Sequence, residues 1–427
     1  MLRKFFLIVA VPILLAMQYL SVAAEEVAVS GFVFEDENYD EVFGPDEDAL
    51  PGVVLSDGVI VTVTDRNGAY TMRTDSDRII FVSVPGTHHA AGNRFYYRFP
   101  AKFKDRRKIN FPLVQNTDTG DDKRFTLAFV TDTHTADYRE AKEGTEKAFR
   151  AVMNMKPDLV IHGGDIVFDA LRASQENLAR SQYNLYSNRI APIIKSPFYH
   201  TIGNHDVFGW MADPQPNPLP HLYGKEMYRK YFGPTYYSFN YKHCHFLVLD
   251  SIGRTVNDLG MPTYYGFIDD AQLEWAQKDL AHIDRETPVI VVSHIPTINA
   301  LASLYGEKDE IVTAEDGGRT PKHQARGFQR LFGEVLKGYN FRLALAGHFH
   351  TYEEIHWKDN EHDAYFVVGG SVCGEWWQGD HTVGYCSWAE GFTRIDVDGD
   401  KFTFSYIPYG WAGTEEQPSK GSAARIE

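Results

Sequence analysis

Five short segments of metal-ligand residue types occur in order along this chain, each following an apolar run: Asp132-Thr133-His134, Gly164-Asp165, Gly203-Asn204-His205-Asp206, Ser293-His294 and Gly347-His348-Phe349-His350. The runs at residues 125–131, 159–162, 197–202, 288–293 and 341–346 read as strands. Helical patterns near 143–155, 175–189, 270–282 and 327–336 are interleaved with them. Such alternation predicts an α/β fold with helices layered on its sheets. Every segment then falls in a loop at a strand end, where loops from several strands converge on rigid bases. Asp-x-His or Gly-Asp alone arises by chance. Five in order supply carboxylates, an amide and imidazoles enough for two metal ions.

The chain has 427 residues, too long for one ordinary domain, so a catalytic domain with smaller attachments is expected. At the N-terminus Arg3 and Lys4 precede an apolar run from Phe5 to Leu20 and the small residues Ser21 to Ala24. That order reads as a secretory signal peptide, residues 1–24, cleaved near Ala24, in preference to an uncleaved membrane anchor. The run is shorter than the ~20 residues a spanning helix needs, and Pro12 and Gln18 interrupt it. A secreted protein, periplasmic or extracellular, with no stable membrane insertion after cleavage follows as the expectation.

The formal net charge is −16, and losing Arg3 and Lys4 makes the chain more acidic still. An acidic surface disfavours long nucleic acid, whose phosphates are bound by clustered Lys and Arg. The three cysteines, Cys244, Cys373 and Cys386, are too few for a disulfide scaffold or a thiolate metal cluster. Cys373 and Cys386 are a candidate pair in an oxidising compartment, and Cys244 in its apolar run reads as a buried small side chain.

Residues 25–115 show short alternating strands and turn residues such as Asp57-Gly58 and Asn67-Gly68, a small β-sandwich. Within it, Asp36, Asn38 and Asp40 are spaced as in a calcium loop, so calcium in this domain is a candidate. A solvated acidic loop is the preferred expectation, on the reading that the Gly and terminal Glu of an EF-hand are not in place. Residues 116–123 read as a linker. Beyond His350 the pattern is β-rich again, with a hairpin near 392–409 and an aperiodic tail from about Trp411.

With these motifs, the chain resembles the calcineurin-like metallophosphoesterase family, whose signature of D-x-H, G-D, G-N-H-D or G-N-H-E, H and G-H-x-H it matches at all five places. The stretch "VVLSDGVIVTVTDRNGAYTM" is similar to the transthyretin-like or Ig-like sandwiches that precede catalytic domains in secreted hydrolases. "YYSFNYKHCHFLVLDS", "YYGFIDDAQLEWAQKDL" and "FVVGGSVCGEWW" extend the resemblance to the subfamily with an N-terminal sandwich and a C-terminal β module. The resemblance implies an α/β, two-sheet metallophosphoesterase sandwich flanked by helices at residues 124–355. A transthyretin-like or Ig-like β-sandwich at 25–115 and a C-terminal β-rich module and tail at 356–427 would flank it.

Carried over residue by residue, the family pattern implies that Asp132, His134 and His350 hold one metal and Asn204, His294 and His348 the other, with Asp165 bridging. The ions would be divalent or trivalent Mn, Fe or Zn, and a hydroxide between them would attack phosphorus. His205 is the candidate for protonating the leaving oxygen, and Asp206 for orienting it. His162 reads as a residue behind the ligands or in the core, Asp169 as a nearby structural loop carboxylate, and His243 and His245 as outside the site. Trp376 and Trp377 are candidates to stack on a substrate ring or sugar, or to pack between modules.

The expected activity is metal-dependent hydrolysis of a small-molecule or glycan-linked phosphoester, monoester or diester. The competing reading is a cell-surface glycan-binding protein with a non-catalytic phosphoesterase core. Loss of one or more ligands would favour it, and none is lost.

Overall fold

The structure is a computed structural model that describes residues 25–99, 107–116, 123–137, 141–300, 311–314, 316–360, 362–372, 382–383, 386–387 and 390–410. The expected signal segment, residues 1–24, together with Cys373, the side chain of Cys386, Trp376 and Trp377, lies outside the described residues.

Two sheets form the core. One has the order Phe198–His200, Leu159–His162, Arg124–Val130, Gly391–Asp398, Lys401–Pro408; its first three strands are parallel and the last two antiparallel. The other has the order Tyr237–Tyr241, Cys244–Val248, Val289–Val292, Phe341–Ala346, Asp363–Val368, Glu353–Lys358, with four central parallel strands between antiparallel edges. Central strands such as Leu159–His162 and Val289–Val292 are buried at every position, as parallel strands covered on both faces must be. The β-rich stretch from residue 356 is woven into this core: its strands complete both sheets.

The helices cover the sheets through one face each. Ala141–Asn154 buries Ala141, Thr145, Ala148, Phe149 and Val152, a three-to-four-residue repeat. Asp270–Leu280 starts where the Asp269 carboxylate accepts the Gln272 N–H at 2.9 Å. Glu176–Leu185 continues into a wider π-helical turn, Tyr186–Ile190, and the helical pattern at 327–336 is also largely such a turn, Leu331–Val335. The helix Glu226–Phe232 was not expected; at seven residues it is too short to display a periodic apolar face.

The N-terminal region is a sandwich of two sheets. One contains Ala69–Asp75, Glu26–Glu35, Phe111–Gln115 and His88–Ala90; the other contains Val61–Val63, Val54–Ser56, Ile79–Ser83 and Tyr96–Arg98. It docks on the core through backbone bonds, Asn240 N–H to Val84 O at 2.8 Å and Lys242 N–H to Gly86 O at 2.9 Å. The Trp275 indole reaches Ser56 Oγ at 3.1 Å across the same junction. One continuous apolar cluster runs through both parts. A four-stranded lobe, Pro262–Gly266, Ile252–Val256, Ile311–Thr313 and Arg319–Pro321, stands beside the core around a small cluster of its own, Tyr265, Val312 and Ala314.

Candidate metal centre

All five ligand segments leave the C-terminal ends of parallel strands, three from one core sheet and two from the other. Asp132 and His134 follow Arg124–Val130, Asp165 follows Leu159–His162, Asn204 follows Phe198–His200, His294 follows Val289–Val292, and His348 and His350 follow Phe341–Ala346. The loops are laced by backbone bonds, Asp132 N–H to Gly164 O at 2.9 Å, His134 N–H to Asp165 O at 3.0 Å and Gly347 N–H to His294 O at 3.0 Å.

The motif glycines are there because a side chain would occupy ligand space. A Cβ at Gly203 would stand 2.2 Å from Asp165 Oδ1, and one at Gly347 would stand 2.4 Å from Asp132 Oδ2. The ligand backbones carry strain of their own. Asp132, His134, Asp165, His348 and His350 all have positive φ, between 40° and 79°. Non-glycine residues avoid this region at a cost of about 1–3 kcal/mol each, and such outliers cluster at functional sites.

The side chains meet in two groups that share Asp165. Asp132, His134, Asp165 and His350 form one; Asp165, His294 and His348 form the other; within each group the candidate ligand atoms lie within 4.8 Å of one another. Asp165 Oδ2 is 3.2 Å from His294 Nε2 and 3.8 Å from His134 Nε2, and its Oδ1 accepts the His205 N–H at 2.8 Å. His350 Nε2 is 3.2 Å from Asp132 Oδ1, and Asn204 Oδ1 is 3.2 Å from His294 Nε2. Asp132 Oδ2 accepts from the Thr131 hydroxyl at 2.6 Å, which keeps the carboxylate in place.

The donor arrangement fits metal ions. His294 Nδ1 is held by Gly163 O at 2.9 Å and His134 Nδ1 by Phe168 O at 3.3 Å, so each ring turns Nε2 into the site as an acceptor. His134 Nε2 then faces His350 Nε2 at 3.0 Å, so its acceptor lone pair meets a ring nitrogen that either donates a hydrogen bond to it or, as an acceptor itself, shares a cation with it. His348 Nδ1 is buried with no hydrogen-bond partner among the described residues. The charges point the same way. Burial, with His205 and His350 nearby, pushes His134 down to about 3, leaving a neutral ring. Burial opposes charge on Asp165 too, but His294 and His205 hold its carboxyl well below the usual range. Burial alone would lower His294; the Asp165 and Asp132 carboxylates overcome it and raise the imidazole to about 9, a proton doing the work a cation would do.

His205 sits beside this set, its ring edge-on to His134 with centroids 4.7 Å apart and its Nδ1 on Phe168 O at 2.7 Å. Its side chain is 18% exposed. Asp206 has a different place from the expected one. Its carboxylate accepts the N–H groups of Ile166 at 2.9 Å, Val167 at 3.1 Å and Gly203 at 2.8 Å, tying two ligand loops together; the carbonyl of Phe168 orients His205. His162 lies under the site, bonded to Thr133 and to the Gly164 N–H. Asp169 pairs with Arg172 at 3.1 Å and comes within 3.7 Å of His205. His245 is bound to Asp279 at 2.9 Å and His243 to Gly399 O, both away from the ligands.

One neighbour was not foreseen. His323, just after the strand Arg319–Pro321, puts Nδ1 2.7 Å from His348 Nε2, and Tyr264 stands edge-on to His348 with centroids 6.0 Å apart. The lobe thus reaches the candidate metal ligands. A lone His just after one short strand and a Tyr inside another carry no spacing signal that could announce this.

Residues 125–352 match the family model of the calcineurin-like phosphoesterases, and residues 38–116 match the model of the N-terminal domain of calcineurin-like phosphoesterase. No curated protein matches the chain. Among solved structures, a dimetal phosphatase from Danio rerio is similar at 15% identity and a TM-score of 0.41, covering 67% of this chain and 99% of that one. A purple acid phosphatase from yellow lupin is similar at 13% identity and a TM-score of 0.44, covering 84% of this chain and 66% of that one. With a family match over more than half its length, and a His/Asp cluster that fits two metal ions, the chain belongs to the calcineurin-like phosphoesterases, metal-dependent hydrolases of phosphoesters.

Proposed function

We propose that this protein is a secreted phosphoester hydrolase that holds one metal ion with Asp132, His134 and His350, a second with Asn204, His294 and His348, and joins the two through Asp165. The observation that carries the reading is the pair of ligand clusters sharing that one buried carboxylate. The donors are imidazole, carboxylate and amide, a set suited to Mn, Fe or Zn. When bound, such ions supply a hydroxide near neutral pH and positive charge for the phosphoryl oxygens.

The chain's own residues do the rest. Asp132 is fixed by Thr131 and by the His348 N–H, so the metal-facing groups are held before substrate arrives. His205, its Nδ1 anchored on Phe168 O, presents Nε2 to the leaving oxygen as hydrogen-bond donor or acid. Asp206 acts through position, keeping the Asp165 and Asn204 loops in register.

The substrate is a small or glycan-linked phosphoester, and the acidic balance of the chain argues against long nucleic acid. Secretion rests on the N-terminal order of basic, apolar and small residues. Among the described residues no helix is long and apolar enough to cross a membrane. Hydrolysis of p-nitrophenyl phosphate and of bis-p-nitrophenyl phosphate, with Mn²⁺ added, tests the activity. It disappears in Asp165→Ala, and wild-type turnover in that variant would contradict the proposal.

A further inference from the structure

We propose that the loop Asp36 to Glu47 of the N-terminal sandwich is a calcium site, with the side chains of Asp36, Asn38, Asp40 and Glu47 and the Val42 carbonyl as ligands. Counted from Asp36, Asn38 and Asp40 stand at places three and five, Val42 at seven and Glu47 at twelve, which are liganding places of an EF-hand loop. The expectation that its terminal Glu is missing is therefore corrected: Glu47 is that residue. The sixth place, normally Gly for its sharp turn, is Glu41, and its backbone adopts the turn regardless, at φ 61°.

The middle of the loop is solvated as expected, with Asn38, Asp40 and Val42 exposed, but its two end carboxylates are not. Asp36 is 1% exposed and Glu47 9% exposed. Oxygens of Asp36, Asp40 and Glu47 lie within 4.8 Å of one another. Asp36 Oδ1 and Oδ2 accept the N–H groups of Asp40 at 3.1 Å and Glu41 at 3.2 Å, and Glu47 Oε2 accepts that of Gly44 at 2.8 Å.

Those bonds organise the loop without neutralising it. The independent sign of a ligand is Glu47 Oε1, which is buried with no hydrogen-bond partner among the described residues while its carboxylate faces two others. A buried carboxylate oxygen left unpaired beside like charges is costly, and a cation removes the cost. The donors are all oxygen, without His or Cys, and come from several side chains and a carbonyl of one loop, a set that suits calcium over a transition metal or a largely hydrated magnesium ion. Glu35 N–H bonds Asp48 O at 2.8 Å and Asp36 N–H bonds Leu113 O at 2.7 Å, so a bound ion would stiffen the loop where it joins the sandwich.

The test is calorimetric titration of the chelator-stripped full-length protein with CaCl2, with thermal melts alongside. Calcium binds and raises the Tm; Glu47→Gln weakens binding at least tenfold and melts like wild type in chelator; Asp165→Asn binds calcium as wild type does. Asn38→Ala gives the same weakening should Glu47→Gln fail to fold. Absence of a calcium response up to about 10 mM, beyond the range of extracellular calcium modules, overturns the proposal. A response lost in Asp165→Asn but kept in Glu47→Gln overturns it too, by assigning the ion to the phosphoesterase centre.

Discussion

Gly347→Ala asks the most of the ligand geometry for the smallest change. A methyl there would stand 2.1 Å from Thr131 Oγ1 and 2.4 Å from Asp132 Oδ2. Non-bonded carbon and oxygen settle at about 3.5 Å, so the carboxylate or the loop must yield by roughly 1 Å. Asp132 cannot yield freely, since Thr131 Oγ1 and the His348 N–H both hold it. Overpacking of this kind costs about 1–3 kcal/mol of stability. Misplacing a reacting group by about 1 Å costs on the order of 10²-fold in rate, and disturbing a ligand's support on the order of 10–100-fold in metal affinity. The assay is kcat/KM on an aryl phosphate at fixed Mn²⁺, with metal content by mass spectrometry. Gly333→Ala is the control, because a Cβ there meets nothing within 4 Å. A Gly347→Ala protein with wild-type metal content and rate would refute the reasoning.

Three further outcomes follow from named groups. His205→Ala keeps its metal content but loses on the order of 10²–10⁴-fold in kcat on an alkyl phosphoester, whose leaving group needs a proton, and less on an aryl one; equal losses on both would remove His205 from that role. Asp206→Asn sets an amide N–H against backbone N–H donors, costing on the order of 1–3 kcal/mol in thermal or denaturant unfolding; a loss of kcat without a loss of stability would argue against its structural place. Glu353 is buried, and burial raises its carboxyl from the usual 4.5 to about 7 against the Ala300 N–H. The folded chain keeps that proton longer, so the associated stability is full below pH 4.5 and is lost as pH rises through about 7. Glu353→Gln therefore gains on the order of 2–3 kcal/mol over wild type at pH 8 and nothing at pH 4.5, read from Tm at both; a gain at low pH only would reverse the sign.

The ligand set was legible because its chemistry has a local signature. Ligand residues must sit where an apolar strand stops, and both the run and the stop are visible in one dimension. His134, Asp165 and His350 could be placed this way although their positive φ could not. Adjacency in sequence points Asp206 at His205, but a carboxylate turns toward whichever donors its loop brings, here the N–H groups of Ile166, Val167 and Gly203. His323 reaches His348 through a lobe whose packing is a tertiary matter. The destination of the late strands was hidden for a similar reason: Gly391–Asp398 pairs antiparallel with Arg124–Val130 across most of the chain, and no local pattern records a partner that distant. Glu47 stands twelfth counted from Asp36, a spacing the sequence itself displays.

The central claim is that Asp165 holds two ions at once. Metal analysis of the purified protein, before and after reconstitution with Mn²⁺, Fe²⁺ or Zn²⁺ and with excess calcium chelated, tests it most directly when paired with Asp165→Asn. The account predicts close to two transition-metal equivalents in the wild-type chain and a marked loss in the variant. Trace occupancy in the reconstituted wild type, or two full equivalents in Asp165→Asn, would contradict it.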